Sequence, residues 1–326
     1  MRDKQMKAIT RLLAAACCLT ATQAAFSQTW PTKPIKIVVP LSAGSSSDQV
    51  VRMIAPKLSE ALNQPVFVEN LPGAGGNRGS DFVAKSAPDG YTLLLGTSSS
   101  HGINVSLYSK MPYDAVKDFA PITLIGYTGF IMMANPALGV KSVHDLVALS
   151  KAKPGTLNYG SNGNGTSSHL GMEMFKAQSG LDAKHVPYRG GAQANADLIA
   201  GHVPLALDAI PVALPLVRAG KVVALGVTNH TRSSLAPDIP GISETYPGFE
   251  FTAWIGFWAP EHTPREVINR MNAELVKVMS MPDVKARMST NGWEVATSTP
   301  DAFGSFVKKE IEKWGVVVKA TGARVD

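Results

Sequence analysis

The stretch Ile35-Lys36-Ile37-Val38-Val39-Pro40-Leu41-Ser42-Ala43-Gly44-Ser45-Ser46-Ser47-Asp48, followed by Gln49 to Leu62, joins an apolar run, an uncharged loop ending in one acid, and a helical pattern. Its β-branched start reads as a strand. From Gln49 on, Val50, Ile54, Leu58, Ala61 and Leu62 fall on one side at helical spacing, and Val66-Phe67-Val68 then begins a second strand. Strand, crossover helix and strand in that order call for parallel pairing. The alternation continues with strands at Tyr91 to Leu95 and Ile122 to Ile125. Past Phe130 it repeats as helix Val143 to Lys153, strand Leu157 to Tyr159, helix Ser168 to Gln178, strand Lys184 to Val186, helix Ala192 to Ala200, and strands Leu205 to Leu207 and Val222 to Val227. Phe251 to Trp258 leads into helical stretches Pro264 to Met279, Asp283 to Asn291 and Pro300 to Lys319. The fold class is α/β, with mainly parallel sheets covered on both faces.

A second loop matches the first in kind. Gly160-Ser161-Asn162-Gly163-Asn164-Gly165-Thr166-Ser167-Ser168 is again uncharged and again lies between a strand and a helix. In a parallel sheet this is the carboxyl end of a strand, where ligands bind and where the next helix offers free N–H groups. Each loop is therefore either an anion cradle or a plain capped connection, with Ser47 or Asp48, and Thr166 or Ser167, as caps. The 119 residues from Ser42 to Ser161 amount to one small α/β domain, so the pairing predicts two lobes across a cleft.

The chain has 326 residues, 45% of them hydrophobic and 17% charged, which excludes disorder and small disulfide scaffolds. Of the formal charge of +6, half sits in the first 27 residues, where Arg2, Lys4, Lys7 and Arg11 face Asp3 alone. No Lys/Arg run is present, so nucleic acid is not expected as a partner. The basic start and the Ala-rich stretch Leu12 to Leu19, too short to span about 30 Å of hydrocarbon, read as a signal peptide over residues 1–27. Cleavage after Ser27 is favoured over cleavage after Ala24, and Cys17 matches a lipid-acceptor site poorly. Both cysteines, Cys17 and Cys18, lie in this leader, so the mature chain has no disulfide and no thiolate chemistry. Val203 to Val227 is broken by Asp208, Pro211, Pro215 and Arg218, so the mature protein is expected to be soluble, outside the cytoplasm.

Enzyme constellations are missing. There is no Gly-x-Ser-x-Gly elbow, and in Gly73-Ala74-Gly75-Gly76-Asn77-Arg78-Gly79 the third fingerprint glycine would fall on Arg78. The seven histidines show no i, i+3 or i+4 pair, so a helix-borne metal site is unsupported; no metal and no cofactor are expected. His101 and His169, each beside a candidate loop, either meet a ligand or bond backbone near a turn. A hydrolase using Ser98 to Ser100 with His101 lacks an orienting acid. Trp254, Phe257, Trp258, Met132 and Met133 read as core.

Several motifs in order carry a resemblance from Trp30 to Asp326. They are Trp30-Pro31-x-Lys33-Pro34-Ile35, Asn70-x-Pro72-Gly73-Ala74-Gly75-Gly76-Asn77-x-Gly79, Pro88-Asp89-Gly90-Tyr91-Thr92-Leu93, Asn158-Tyr159-Gly160-Ser161 with Gly165-Thr166, Pro187-Tyr188-Arg189-Gly190-Gly191, and Trp254-x-Gly256-x-x-Ala259-Pro260. Together they resemble the Bug-type extracytoplasmic solute receptors of tripartite tricarboxylate transporters. The resemblance implies a two-lobed periplasmic binding protein with a cleft between its lobes, formed by 28–127 with 253–326 and by 128–252. It implies a monomer that is not an enzyme and closes on a small organic carboxylate. The partner is then a membrane permease of the tripartite type or, in the alternative reading, a membrane sensor that receives the closed form.

The resemblance also implies the site. In the first lobe it is Ser42, Ala43, Gly44, Ser45, Ser46 and Asp48, with Thr97, Ser98, His101 and Asn104 from the loop Gly96 to Asn104. In the second lobe it is Ser161, Asn162, Asn164, Thr166 and Ser167, then Tyr188 and Arg189, and an acid matching Asp208. Arg189 either reaches a ligand carboxylate with its fork or ties its own turn together. Asp208 either meets ligand or caps the helix before Ile210-Pro211. Where the family carries an aromatic residue and Pro-Gly-Gly, this chain has Leu41, Ala43, Gly44 and Ser45, which adds hydroxyl donors to the first loop.

Overall fold

A computed structural model describes residues 30–229 and 231–325. The leader read over residues 1–27, including Cys17, lies outside them. Lys33–Asp326 forms one compact unit that holds every element named below, and Trp30–Thr32 belong to a separate short segment.

The first sheet contains β1 (Ile35–Val39), β2 (Val66–Asn70), β3 (Thr92–Thr97), β4 (Phe119–Thr128), β10 (Ala253–Pro260) and β11 (Trp293–Val295), in the order β11-β4-β10-β3-β1-β2. The second contains β5 (Phe130–Ala134), β6 (Asn158–Ser161), β7 (Lys184–Pro187), β8 (Leu205–Ala209) and β9 (Val223–Val227), in the order β7-β6-β8-β5-β9. As read from sequence, β1, β2 and β3 pair in parallel, as do β6, β7 and β8. The expectation of mainly parallel sheets is corrected by the strands at the crossings. β5 follows the passage into the second sheet and lies antiparallel to both β8 and β9, and β10, on the return, is antiparallel to both β3 and β4. Each sheet is mixed because a strand that enters directly from the other sheet has no crossover helix to turn it into the parallel sense.

The two passages are bonded to each other. The Phe130 N–H donates to the Thr228 hydroxyl at 2.8 Å, and the Phe251 N–H donates to the Thr228 carbonyl at 2.9 Å. Met132, Met133, Trp254, Phe257 and Trp258 are all buried, as their pattern required.

The helices follow the strands: α1 (Ser46–Leu62), α2 (Asn77–Ala84), a π-turn Ser99–Ile103 running into α3 (Asn104–Leu107), α4 (Val143–Ala152), α5 (Ser167–Ser179), α6 (Gly191–Ala200), α7 (Ile210–Arg218), α8 (Arg265–Ser280), α9 (Pro282–Thr290) and α10 (Pro300–Thr321). Trp314 and Val318 of α10, with Ile103 and Leu107, pack into the core that carries Phe130, Tyr159, Leu170, Phe175 and Phe251. The first sheet buries a separate cluster around Trp254, Trp258 and Phe303. No helix among the described residues is long and apolar enough to cross a membrane.

Candidate functional site

A cavity of about 980 Å³ lies between the two sheets. It is lined from the first sheet's side by Leu41 to Ser47, Pro72 to Gly76 and Thr97 to Ser99, and from the second's by Asn162 to Asn164, Thr166 to Ser168, Arg189 to Ala192, Asp208 and Ala209. Nearly all of these positions are strand ends or helix beginnings. Five helices of eight or more residues, α1, α2, α5, α6 and α7, start at this wall. Only α1 has its first turn capped by a side chain, the Ser45 hydroxyl accepting from the Asp48 N–H at 3.3 Å. The other four N-caps, Gly76, Thr166, Gly190 and Ala209, make no side-chain capping bond. The wall is thus rich in N–H donors and in the positive ends of helix dipoles.

Of the described residues lining the cavity, only Arg189 and Asp208 are charged. Arg189 is exposed, and among the described residues it has neither a hydrogen-bond nor an ion-pair partner. Asp208 is buried with no cation paired to it among the described residues: Oδ2 accepts from Asn195 Nδ2 at 2.7 Å, and Oδ1 from the Ala209 N–H at 2.8 Å and from Asn162 Nδ2 at 3.4 Å. Burial pushes its carboxyl above the ordinary range, against the pull of those donors. Gly191 allows this arrangement, since a Cβ there would lie 2.9 Å from Asn162 Oδ1 and 3.0 Å from Asp208 Oδ2. Asp208 therefore both meets the first N–H at the head of α7 and ties the second loop to α6.

Ser42, Ala43, Gly44, Ser45, Ser46, Thr97, Ser98, Asn162, Asn164, Thr166, Ser167, Arg189 and Asp208 are brought together at this cavity. Across it the Ser167 hydroxyl lies 3.5 Å from those of Ser98 and Ser99. Five expected ligand contacts stand behind the wall instead. Asp48 is buried; burial alone would raise its pKa, but the Gly44 N–H at 2.8 Å, Arg52 Nε at 2.9 Å and Asn70 Nδ2 at 2.9 Å hold it below the usual range. Asn104 Nδ2 donates to Asn77 Oδ1 at 2.7 Å and to the Gly75 carbonyl at 3.1 Å, fixing the glycine loop. Ser161 Oγ lies 2.6 Å from His185 Nε2, and the Tyr188 hydroxyl donates to Asp197 Oδ2 at 2.7 Å.

His101 is fully buried, stacked on Trp258 with ring centroids 4.3 Å apart and bonded through Nδ1 to Ser100 Oγ at 2.9 Å. Its Nε2 has no partner among the described residues, so none of their acids orients it, and Ser100 beside it is equally enclosed. His169 accepts the Gly165 N–H at 3.1 Å and stacks on His185 at 3.8 Å, which is a loop-holding role.

Burial lowers His101 and His185 to about 3, the latter helped by His169 and Lys176. Their folded pKa lies below the roughly 6.5 of an unfolded histidine, so acid favours the unfolded chain. The stability they contribute is complete above about pH 6.5 and is lost as the pH falls toward 3. Between pH 7 and pH 5 a His101→Phe protein should lose about 2 kcal/mol less stability than the parent, as read by urea unfolding. Identical pH dependences would contradict a buried neutral His101.

Sequence reasoning missed Pro72 to Gly76, where Gly73, Ala74, Gly75 and Gly76 all have positive φ, and the apolar wall of Phe130, Val212, Trp254, Ile255, Trp293 and Val325. The glycines were a visible signal for the former. Nothing local marked Trp293.

Comparison with known proteins places these features in context. Residues 50–323 match the model of the tripartite tricarboxylate transporter family receptor. The chain is 34% identical to protein BugT of Bordetella pertussis over 323 residues, covering 97% of this chain and 99% of that one. Among solved structures, an R. palustris protein with adipate superposes with a TM-score of 0.85 at 33% identity, covering 91% of this chain and all of the other. MatC from Rhodopseudomonas palustris with bound malate gives 0.80 at 31% identity, covering 89% and 100%.

Proposed function

The chain belongs to the tripartite tricarboxylate transporter receptor family, and from that premise we propose that it captures a small organic carboxylate in this cavity and delivers it to a membrane permease of the tripartite type. The observation that carries the reading is the convergence of five helix N-termini, four without a side-chain cap bond, on a wall where the Arg189 guanidinium has no partner among the described residues. Such a wall holds an anion without a lysine. The similar proteins with adipate and with malate support the same ligand chemistry. In this reading residues 28–127 with 253–326 are one lobe and 128–252 the other, and they close on the ligand as a monomer outside the cytoplasm. The carboxylate sits at the first loop, between Ser42 and Ser46, and the second lobe adds Asn162, Asn164, Thr166, Ser167 and Arg189.

A thermal-shift panel of mono- and dicarboxylates tests the reading. At 100 times its dissociation constant a true ligand stabilises the fold by about 2.7 kcal/mol. At least one carboxylate should raise the melting temperature while its amide does not. A panel in which only uncharged analogues stabilise the protein would contradict it.

A further inference from the structure

Behind the first sheet's side of the cavity, α10 buries an acid. Glu310 stands outside the residues that line the cavity, yet its Oε2 accepts from two indoles at once, Trp254 Nε1 at 2.8 Å and Trp314 Nε1 at 3.1 Å. Its Oε1 meets the half-exposed Lys313 ammonium at 3.3 Å. The two rings belong to different cores. Trp254 packs in the cluster of the first sheet and borders the cavity, whereas Trp314 packs with Phe130 and Phe251 of the two passages. Both rings meet Gly102 in the π-turn Ser99–Ile103, where a Cβ would lie 3.2 Å from Trp314 Cδ1 and 3.6 Å from Trp254 Cζ2. The start of that turn, Ser98 and Ser99, lines the cavity 3.5 Å from the Ser167 hydroxyl. Such π-turns often sit at functional sites. A buried indole N–H without an acceptor is costly and a carboxylate is a strong acceptor, so both rings are pinned to one oxygen.

We propose that Glu310 is a positioning residue for ligand binding: by pinning Trp254 and Trp314 to one oxygen it makes the platform on which the π-turn rests, and so sets where Ser98 and Ser99 stand against the second loop. The inference rests on the carboxylate reading above and extends it to a residue outside the cavity. Charge and position predict opposite signs here. Glu310 is an anion near a site for an anion, so losing its charge alone raises affinity slightly. Losing the clamp lowers affinity, because a second cavity of about 330 Å³ beside Trp254 and Glu310 gives the freed ring room to turn and the π-turn then loses its support.

Calorimetry well below the melting temperature tests it, with adipate or, where adipate does not bind, with the acid of the panel that raises the melting temperature most. Glu310→Met removes the acceptor and should weaken binding at least about fivefold, or about 1 kcal/mol. Glu310→Gln keeps an acceptor oxygen and removes the charge, so its affinity should equal or exceed the parent's. Lys313→Met should stay within about twofold of the parent, since an ion pair at the surface contributes little. In protein labelled with 15N at tryptophan, the Trp254 and Trp314 indole protons should exchange with solvent faster in Glu310→Met and stay protected in Glu310→Gln. A folded Glu310→Met protein with the parent's affinity would overturn the inference and leave Glu310 a structural acceptor only. An equal loss in Glu310→Gln would overturn it too. If Glu310→Met does not fold, Trp254→Phe, which keeps a ring and frees one side of the clamp, takes its place with an expected loss of at least about threefold. Unchanged affinity there overturns the inference. Failure of the parent to bind any acid of the panel would instead overturn the carboxylate reading, and the inference with it.

Discussion

A Gly44→Val protein is expected to fold and to bind its carboxylate roughly 5- to 150-fold more weakly, a loss of about 1–3 kcal/mol. Gly44 has φ +81°, and a Cβ there would meet nothing within 4 Å, so the penalty comes from the backbone and not from a clash. A β-branched residue is strained in that region. The strain is relieved by swinging the loop outward, which breaks the 2.8 Å bond from the Gly44 N–H to Asp48 Oδ2 and disturbs the Ser45 cap of α1. The donors at the head of α1 then no longer face the cavity. Because the loop lies outside the buried cores, the melting temperature should fall little. Calorimetric affinity beside a thermal melt checks both halves, and normal affinity would show that the first loop does not cradle the carboxylate.

Arg189→Ala should produce the second large loss, about 1.5–3 kcal/mol of affinity, with an unchanged melting temperature. The sequence left two uses open for Arg189, holding a ligand or tying its own turn. The guanidinium ties nothing among the described residues, so its removal leaves none of them unsatisfied. Arg189→Lys should fall between parent and alanine, since lysine keeps the charge but loses the planar fork. A lowered melting temperature with unchanged affinity would return Arg189 to a structural role.

Both uncharged loops were legible in the sequence because a strand, a polar connection and a helix pattern each leave a local trace. The crossover strands were not. Nothing in Phe130 to Ala134 or in Ala253 to Pro260 says which way a neighbour runs, and pairing direction is a long-range property. Helix α2 was missed because Asn77-Arg78-Gly79-Ser80 opens it with poor helix formers and little apolar periodicity. Residue identity also misled at the site. Asp48, His101, Asn104, Ser161 and Tyr188 have the chemistry of ligand contacts, yet each is spent on a neighbour within the fold. His101 shows why: Trp258, Phe119 and Tyr113 surround it from distant parts of the chain, so its burial has no local signature. Trp293 is the converse case, an unremarkable residue in a three-residue strand that register brings to the cavity wall.

The central claim is that helix ends and one guanidinium hold an ionised carboxylate, and calorimetry of the tightest acid from the panel against its methyl ester measures this directly. The ester keeps the shape and loses the charge. The account predicts that the acid binds at least about tenfold more tightly, by roughly 1.4 kcal/mol or more. Equal affinity for acid and ester would contradict it.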